Sequence, residues 1–160
     1  MKKCMTIIIF LTVISACNRE KTIVNPGPRE SITLKSGASF GECIGYCRRE
    51  VIISDGNVTF TRSGWLSGDD AYPPIVITDE ITLQAWNPII QLIDRETLEN
   101  MNDVYGCPDC VDQGAEWIEI IRPDFSKKIT FEFGDSLATI QDLLDQLRSI
   151  RLIYEDRSSG

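Results

Sequence analysis

Cysteine is the residue type in this chain whose spacing most plainly suggests chemistry. Cys107 and Cys110 form a C-x-x-C inside YGCPDCVDQGAEW, and Cys43 and Cys47 form a C-x-x-x-C inside GASFGECIGYC. Such pairs serve as redox centres, as halves of a zinc site, or as structural staples. Thioredoxin-type chemistry places the first cysteine at a helix N-terminus, whose partial positive charge lowers the thiol pKa. Here Val111-Asp112-Gln113-Gly114 and a strand pattern follow instead, and Asp109 and Asp112 raise the pKa of a nearby thiol. A Cys₄ zinc site would take Cys43, Cys47, Cys107 and Cys110 as two knuckles, with 59 residues between them. Disulfides would take the same four residues, in any of three connectivities. A bond across roughly 60 residues stabilises by about 4 kcal/mol and one closing a C-x-x-C by about 2. Loop entropy therefore favours links between the pairs, and the connectivity stays open.

Which chemistry applies depends on compartment. The chain opens MKKCMTIIIFLTVISAC. Lys2 and Lys3 precede an apolar run from Met5 to Ile14, broken by Thr6 and Thr12. That run is too short to cross a hydrocarbon core, which takes roughly 20 residues, and it fits the h-region of a secretory signal peptide. Ile14-Ser15-Ala16-Cys17 resembles a bacterial lipobox. The resemblance implies cleavage after residue 16, lipidation (palmitate included) of Cys17, and loss of Cys4 with the leader. Three acyl chains hold firmly where one holds only marginally. Asn18 to Glu30, with Pro26, Gly27 and Pro28, reads as a polar tether from that membrane anchor. Asn18 is not the aspartate associated with inner-membrane retention, which favours the outer membrane. Outside the cytosol thiols are usually oxidised, so disulfides are the expected state and zinc or thiol-redox chemistry the alternative.

The remaining chemistry is defined by exclusion. The chain has no histidine, which removes Ser-His-Asp and Cys-His catalysis and every histidine-ligated metal site. Its formal charge of −8, −10 once Lys2 and Lys3 leave, repels nucleic acid. Trp65, Trp86 and Trp117 are candidates for a ligand platform. Trp86 falls on a helix stripe and reads as core; Trp65, in the loop SGWLSGDDAYPP with Asp69 and Asp70, is the best exposed candidate. Asp69-Asp70 with Asp55, or Asp109 with Asp112, lack EF-hand spacing and read as solvated loop acid. No feature argues for the cleft that paired-carboxylate hydrolysis needs. No catalytic constellation remains, and no cofactor is expected apart from the zinc alternative.

These residues need elements to position them. Ser31 to Ser36 alternates with period two, a short strand. Arg49–Ser54 and Asn57–Thr61 flank Asp55-Gly56, a dipeptide suited to a tight hairpin. Ile75 to Thr78 suggests one brief extended segment. Trp86, Ile89, Ile90 and Ile93 mark a helix from about Asp79 to Asp94, with bending or restart at Pro88, and Glu96 to Met101 suggests a further turn. Trp117–Ile121 and Lys128–Phe133 form a second hairpin around Arg122-Pro123-Asp124. A helix over about Leu137 to Ile150 follows, capped by Asp135 or Ser136. The pattern is a ββα unit twice over, each copy preceded by a cysteine pair. It predicts one α+β domain over residues 31–152, after a signal peptide (1–16) and a tether (17–30) and before a frayed tail (153–160). Its antiparallel sheet holds two hairpins and an N-terminal strand, with two helices packed on one face.

Phe40-Gly41-Glu42-Cys43 before the first hairpin and Cys107-Pro108-Asp109-Cys110-Val111-Asp112-Gln113-Gly114 before the later strand make the chain resemble a group of uncharacterised bacterial cell-envelope lipoproteins, over roughly Ile32 to Ile150. The resemblance brings no activity and no functional residue with it. The expectation is a lipid-anchored, non-enzymatic binding or assembly module. Its partners would be the membrane, through the lipid, and an unidentified envelope protein or glycan.

Overall fold

The computed structural model describes residues 31–65, 71–110 and 113–159; Cys17, Asp69, Asp70 and the expected signal peptide and tether lie outside them. Among the described residues, seven strands and three α-helices make an α+β domain. The strands are β1 (Thr33–Ser39), β2 (Arg48–Ser54), β3 (Asn57–Ser63), β4 (Ile75–Glu80), β5 (Val104–Tyr105), β6 (Ala115–Arg122) and β7 (Phe125–Glu132). The helices are α1 (Leu83–Gln91), α2 (Arg95–Asn100) and α3 (Gln141–Arg157). Among the described residues, no helix is long and apolar enough to cross a membrane.

The sheet order is β4-β3-β2-β1-β6-β7-β5. β1 lies between the two hairpins, with Leu34 opposite Ile53 on one side and Ile120 on the other. Both hairpins close on two residues, Asp55-Gly56 and Pro123-Asp124. In the first, Asp55 (φ 51°) and Gly56 (φ 85°) both take positive φ, the conformation that matches turn twist to strand twist.

Strand parity separates two faces. Leu34, Val51, Ile53, Phe60, Ile118, Ile120, Ile129 and Phe131 share one face and are almost fully buried. Trp86 and Ile89 of α1, Leu98 of α2, and Leu143, Leu144, Leu147 and Tyr154 of α3 belong to the same core. Burying each large side chain contributes about 1.5–3 kcal/mol. The opposite face has no helix among the described residues on it and carries Thr33, Lys35, Glu50, Thr59, Glu119 and Lys128.

The architecture departs from the two-hairpin expectation in four places. β4 occupies Ile75–Glu80 as a full edge strand, so Asp79 and Glu80 are extended rather than helical. The helix starts later, with Thr82 Oγ1 accepting from Ala85 N (3.3 Å) as its cap. Pro88 sits inside α1; the chain ends that helix three residues later, and α2 restarts after Asp94. β5 pairs parallel to β7, which makes the sheet mixed. Residues 153–157, expected to fray, continue α3 to Arg157, because Tyr154 is buried and stacks on Phe60 (6.1 Å between centroids).

Candidate functional site

The register gathers the cysteine loops at one end of the sheet. Ser39 lies opposite Arg48 and Ala115, Arg48 opposite Ser63, and Ala115 opposite Glu132. The connection 40–47 and the segments that begin at Gly64 and Gly106 all leave from that row. At the other end Thr33 faces Ser54 and Ile121, and Ser31 lines a hollow with Arg122, Pro123 and Asp124. Ser31 therefore lies at the pole opposite the cysteines.

Cys43 pairs with Cys47 and Cys107 with Cys110, at Cα–Cα distances of 5.6 and 5.4 Å. Each bond closes its own loop, so the links between pairs that loop entropy favoured are absent. The reason is local: the first pair lies within the β1–β2 connection and the second within the loop entering β6. The two loops do meet. Asp109 Oδ1 accepts from Gly41 N at 2.9 Å, and Phe40 and Phe133 rings stand 4.7 Å apart. Cys107 N donates to Glu132 Oε1 at 2.7 Å. Cys47 is buried, whereas Cys107 and Cys110 are exposed. Among the described residues no three Cys, Asp or Glu side chains are grouped to hold a metal ion.

The same pole carries an aromatic and apolar surface. Tyr46 and Tyr72 rings meet edge to face at 5.6 Å, with the Arg62 guanidinium 4.8 Å from the Tyr46 ring centre. Gly64 N donates to Tyr72 O (3.4 Å), which ties the Trp65 loop to this pair. Trp65 is 54% and Ile44 92% exposed. Of the other two tryptophans, Trp86 is core, and Trp117 is buried on the open face of the sheet. Its indole Nε1 donates to Glu50 Oε1 (3.3 Å), Arg48 and Lys128 stand 5.0 and 5.6 Å from its ring centre, and a Cβ on Gly37 would overlap the ring.

A buried ionic cluster beneath α3 was not anticipated. Glu116 is 1% exposed. Its Oε1 accepts from Arg151 Nη2 (2.6 Å) and Arg148 Nε (3.0 Å), and its Oε2 from Arg148 Nη2 (2.7 Å) and Gly134 N (3.2 Å). Arg151 Nη1 also donates to Ser36 Oγ at 2.9 Å. Burial alone would raise the Glu116 carboxyl, but the hydrogen bonds and charges of Arg148 and Arg151 outweigh it and hold it below the usual range. With four donors on it, this carboxylate is a structural anion rather than a general base. Two sequence signals point to it. Glu116 shares the parity of Ile118 and Ile120, and Arg151 continues the Leu144–Leu147 stripe one turn on. Nearby, Arg49 pairs with Glu155, and burial lowers the Arg49 pKa, helped by the charges of Arg151 and Arg62.

No protein-family model and no curated protein matches this chain. The fold and the arrangement of its poles therefore stand on their own as guides to function.

Proposed function

We propose that the chain is an envelope lipoprotein, anchored through Cys17, whose single domain is a non-enzymatic binding or assembly module. The cysteine pole is its recognition head. One observation carries this reading: exposed Ile44 and Trp65 lie at the end of the sheet away from Ser31, where the tether would enter. A lipid at Cys17 would thus leave the head facing away from the membrane that holds it. Two short covalent loops, joined by Asp109, reduce the conformational freedom that binding would otherwise have to remove. Aromatic rings bordered by polar groups suit a protein surface or the apolar face of a sugar. The resemblance to envelope lipoproteins and the outer membrane as the favoured location belong to the same reading.

The test is site-specific photo-crosslinking in intact cells. A crosslinker at Ile44 or Trp65 should yield a discrete adduct, and one at Asp124 on the opposite pole should not. Labelled palmitate should enter the wild type and not the Cys17→Ser variant. Equal crosslinking from both poles would remove the head, and absence of label from the wild type would remove the anchor. The exposure of Cys107 and Cys110 is the observation that favours the alternative, a thiol-redox or Cys₄ zinc protein. Free-thiol titration and elemental analysis separate the two readings, since oxidised, metal-free protein sinks the alternative.

A further inference from the structure

We infer that β4 is a docking edge for an extended segment of another protein, which adds as an antiparallel strand. This surface is distinct from the cysteine pole and does not depend on the lipid anchor.

The hydrogen-bonding phase of the edge follows from the first hairpin. Its two-residue turn makes Ser54 and Asn57 a hydrogen-bonded pair, so alternate residues of β3 (Val58, Phe60 and Arg62) turn their backbone groups toward β4. Their partners are Asp79, Ile77 and Ile75. The bond from Ile81 N to Gly56 O (2.9 Å) has the same phase. Val76 and Thr78 therefore aim N–H and C=O away from the sheet, at an edge where, among the described residues, β4 pairs with β3 alone. Pro74 bounds this stretch on one side, having no N–H to offer. On the other, Glu80 N is taken by Asp79 Oδ1 (2.9 Å). What remains are two donors and two acceptors on consecutive outward residues, the unit that strand addition uses.

Two of the usual protections of an edge, lysine and proline, are lacking along it. Ile75–Glu80 contains no lysine and no proline, and Val76 is 56% exposed. At its lower end, Glu80 and the turn residue Asp55 are both exposed and acidic. Asp79, by contrast, is already held by Arg157 Nη1 at 2.8 Å. Glu80 and Ile81 also line a groove of about 360 Å³ between α1 and α3, with Pro88, Ile150, Ile153 and Tyr154. The occupant that fits is a strand with a basic residue opposite Glu80, an apolar residue beside the groove, and a β-branched residue opposite Val76. A second copy of this chain fits less well, because each copy carries −8 and brings no basic residue to its own edge.

The experiment uses full-length protein in detergent micelles and a labelled, end-capped peptide, Lys-Val-Thr-Ile-Val-Thr, read by anisotropy and amide exchange. Saturable binding is expected, with exchange at Val76 and Thr78 slowed at least tenfold. Val76→Pro removes an outward N–H that β3 does not use and should weaken binding at least tenfold. Glu80→Lys, which leaves the backbone unchanged, should reject this peptide and accept one with Glu in place of Lys. The inference is overturned by absence of binding, by equal binding to Val76→Pro, or by indifference to the charge exchange. It is equally overturned if sedimentation shows a dimer whose Val76 and Thr78 amides are protected without peptide, which would make the occupant a second copy.

Discussion

Glu116 and Trp117 are neighbours on β6, buried on opposite faces of one sheet by opposite means. Glu116 points under α3, where the helix supplies two arginines to an otherwise apolar layer. Trp117 points to the face that no described helix covers, where Arg48, Lys128 and Glu50 from neighbouring strands enclose the ring. On the covered face a charge is kept by moving its counter-charges in with it. On the open face an aromatic ring is kept dry by the stems of long charged side chains. The two sites should therefore fail differently. Loss of a partner leaves an uncompensated buried charge in the first case and exposes some apolar area in the second.

The largest expected effect is at Glu116. Glu116→Leu strands Arg151 in the core and should destabilise the domain by about 3–5 kcal/mol, measured by urea denaturation. A companion signature is pH dependence. The Glu116 pKa is lowered on folding from an ordinary 4.5, so its contribution is complete above about pH 4.5 and is lost as pH falls through the lowered folded value. Glu116→Gln should flatten that acid limb; an unchanged limb would show that other carboxylates dominate it.

Gly37 tests the open face. Gly37→Val pushes into the Trp117 ring and should cost about 1–3 kcal/mol, with a red shift of tryptophan emission as the indole moves into water. Unchanged emission would mean that the ring is not held where the structure puts it.

The smallest effect belongs to Arg48, whose contact with Trp117 is solvent-facing. Arg48→Ala should cost about 0.5–1 kcal/mol, about a fifth of the Glu116→Leu effect at the upper end of both ranges. A cost comparable to that of Glu116→Leu would erase the distinction between the two faces.

Some of this was readable before any coordinates. Period-two alternation and Asp55-Gly56 located the first hairpin, since a tight turn with positive φ is a local property. Ile129, Phe131 and the Leu143–Leu144–Leu147 stripe identified core faces for the same reason. The β4 region misled because Asp79 and Glu80, acidic residues that suit the first turn of a helix, stand just ahead of the Trp86–Ile93 stripe. Pairing with β3 decided it for extended structure, and that partner lies 17 residues earlier, as Phe60 against Ile77 shows. The candidate head was half visible: Trp65 could be singled out, but its proximity to Tyr46 and Tyr72 could not.

The sequence by itself determined the α+β class, the absence of histidine chemistry, the acidic charge and the two cysteine pairs, because composition and short-range spacing depend on no distant partner. Tertiary structure alone decided which cysteine stands within disulfide distance of which and that both pairs share the pole opposite Ser31. It also decided that Glu116 meets Arg148 and Arg151, 32 and 35 residues away, and that β4, among the described residues, pairs with β3 alone. Each of these turns on sheet order and on where α3 crosses the sheet. Those depend on burying all the apolar faces at once, which no single stretch of chain specifies.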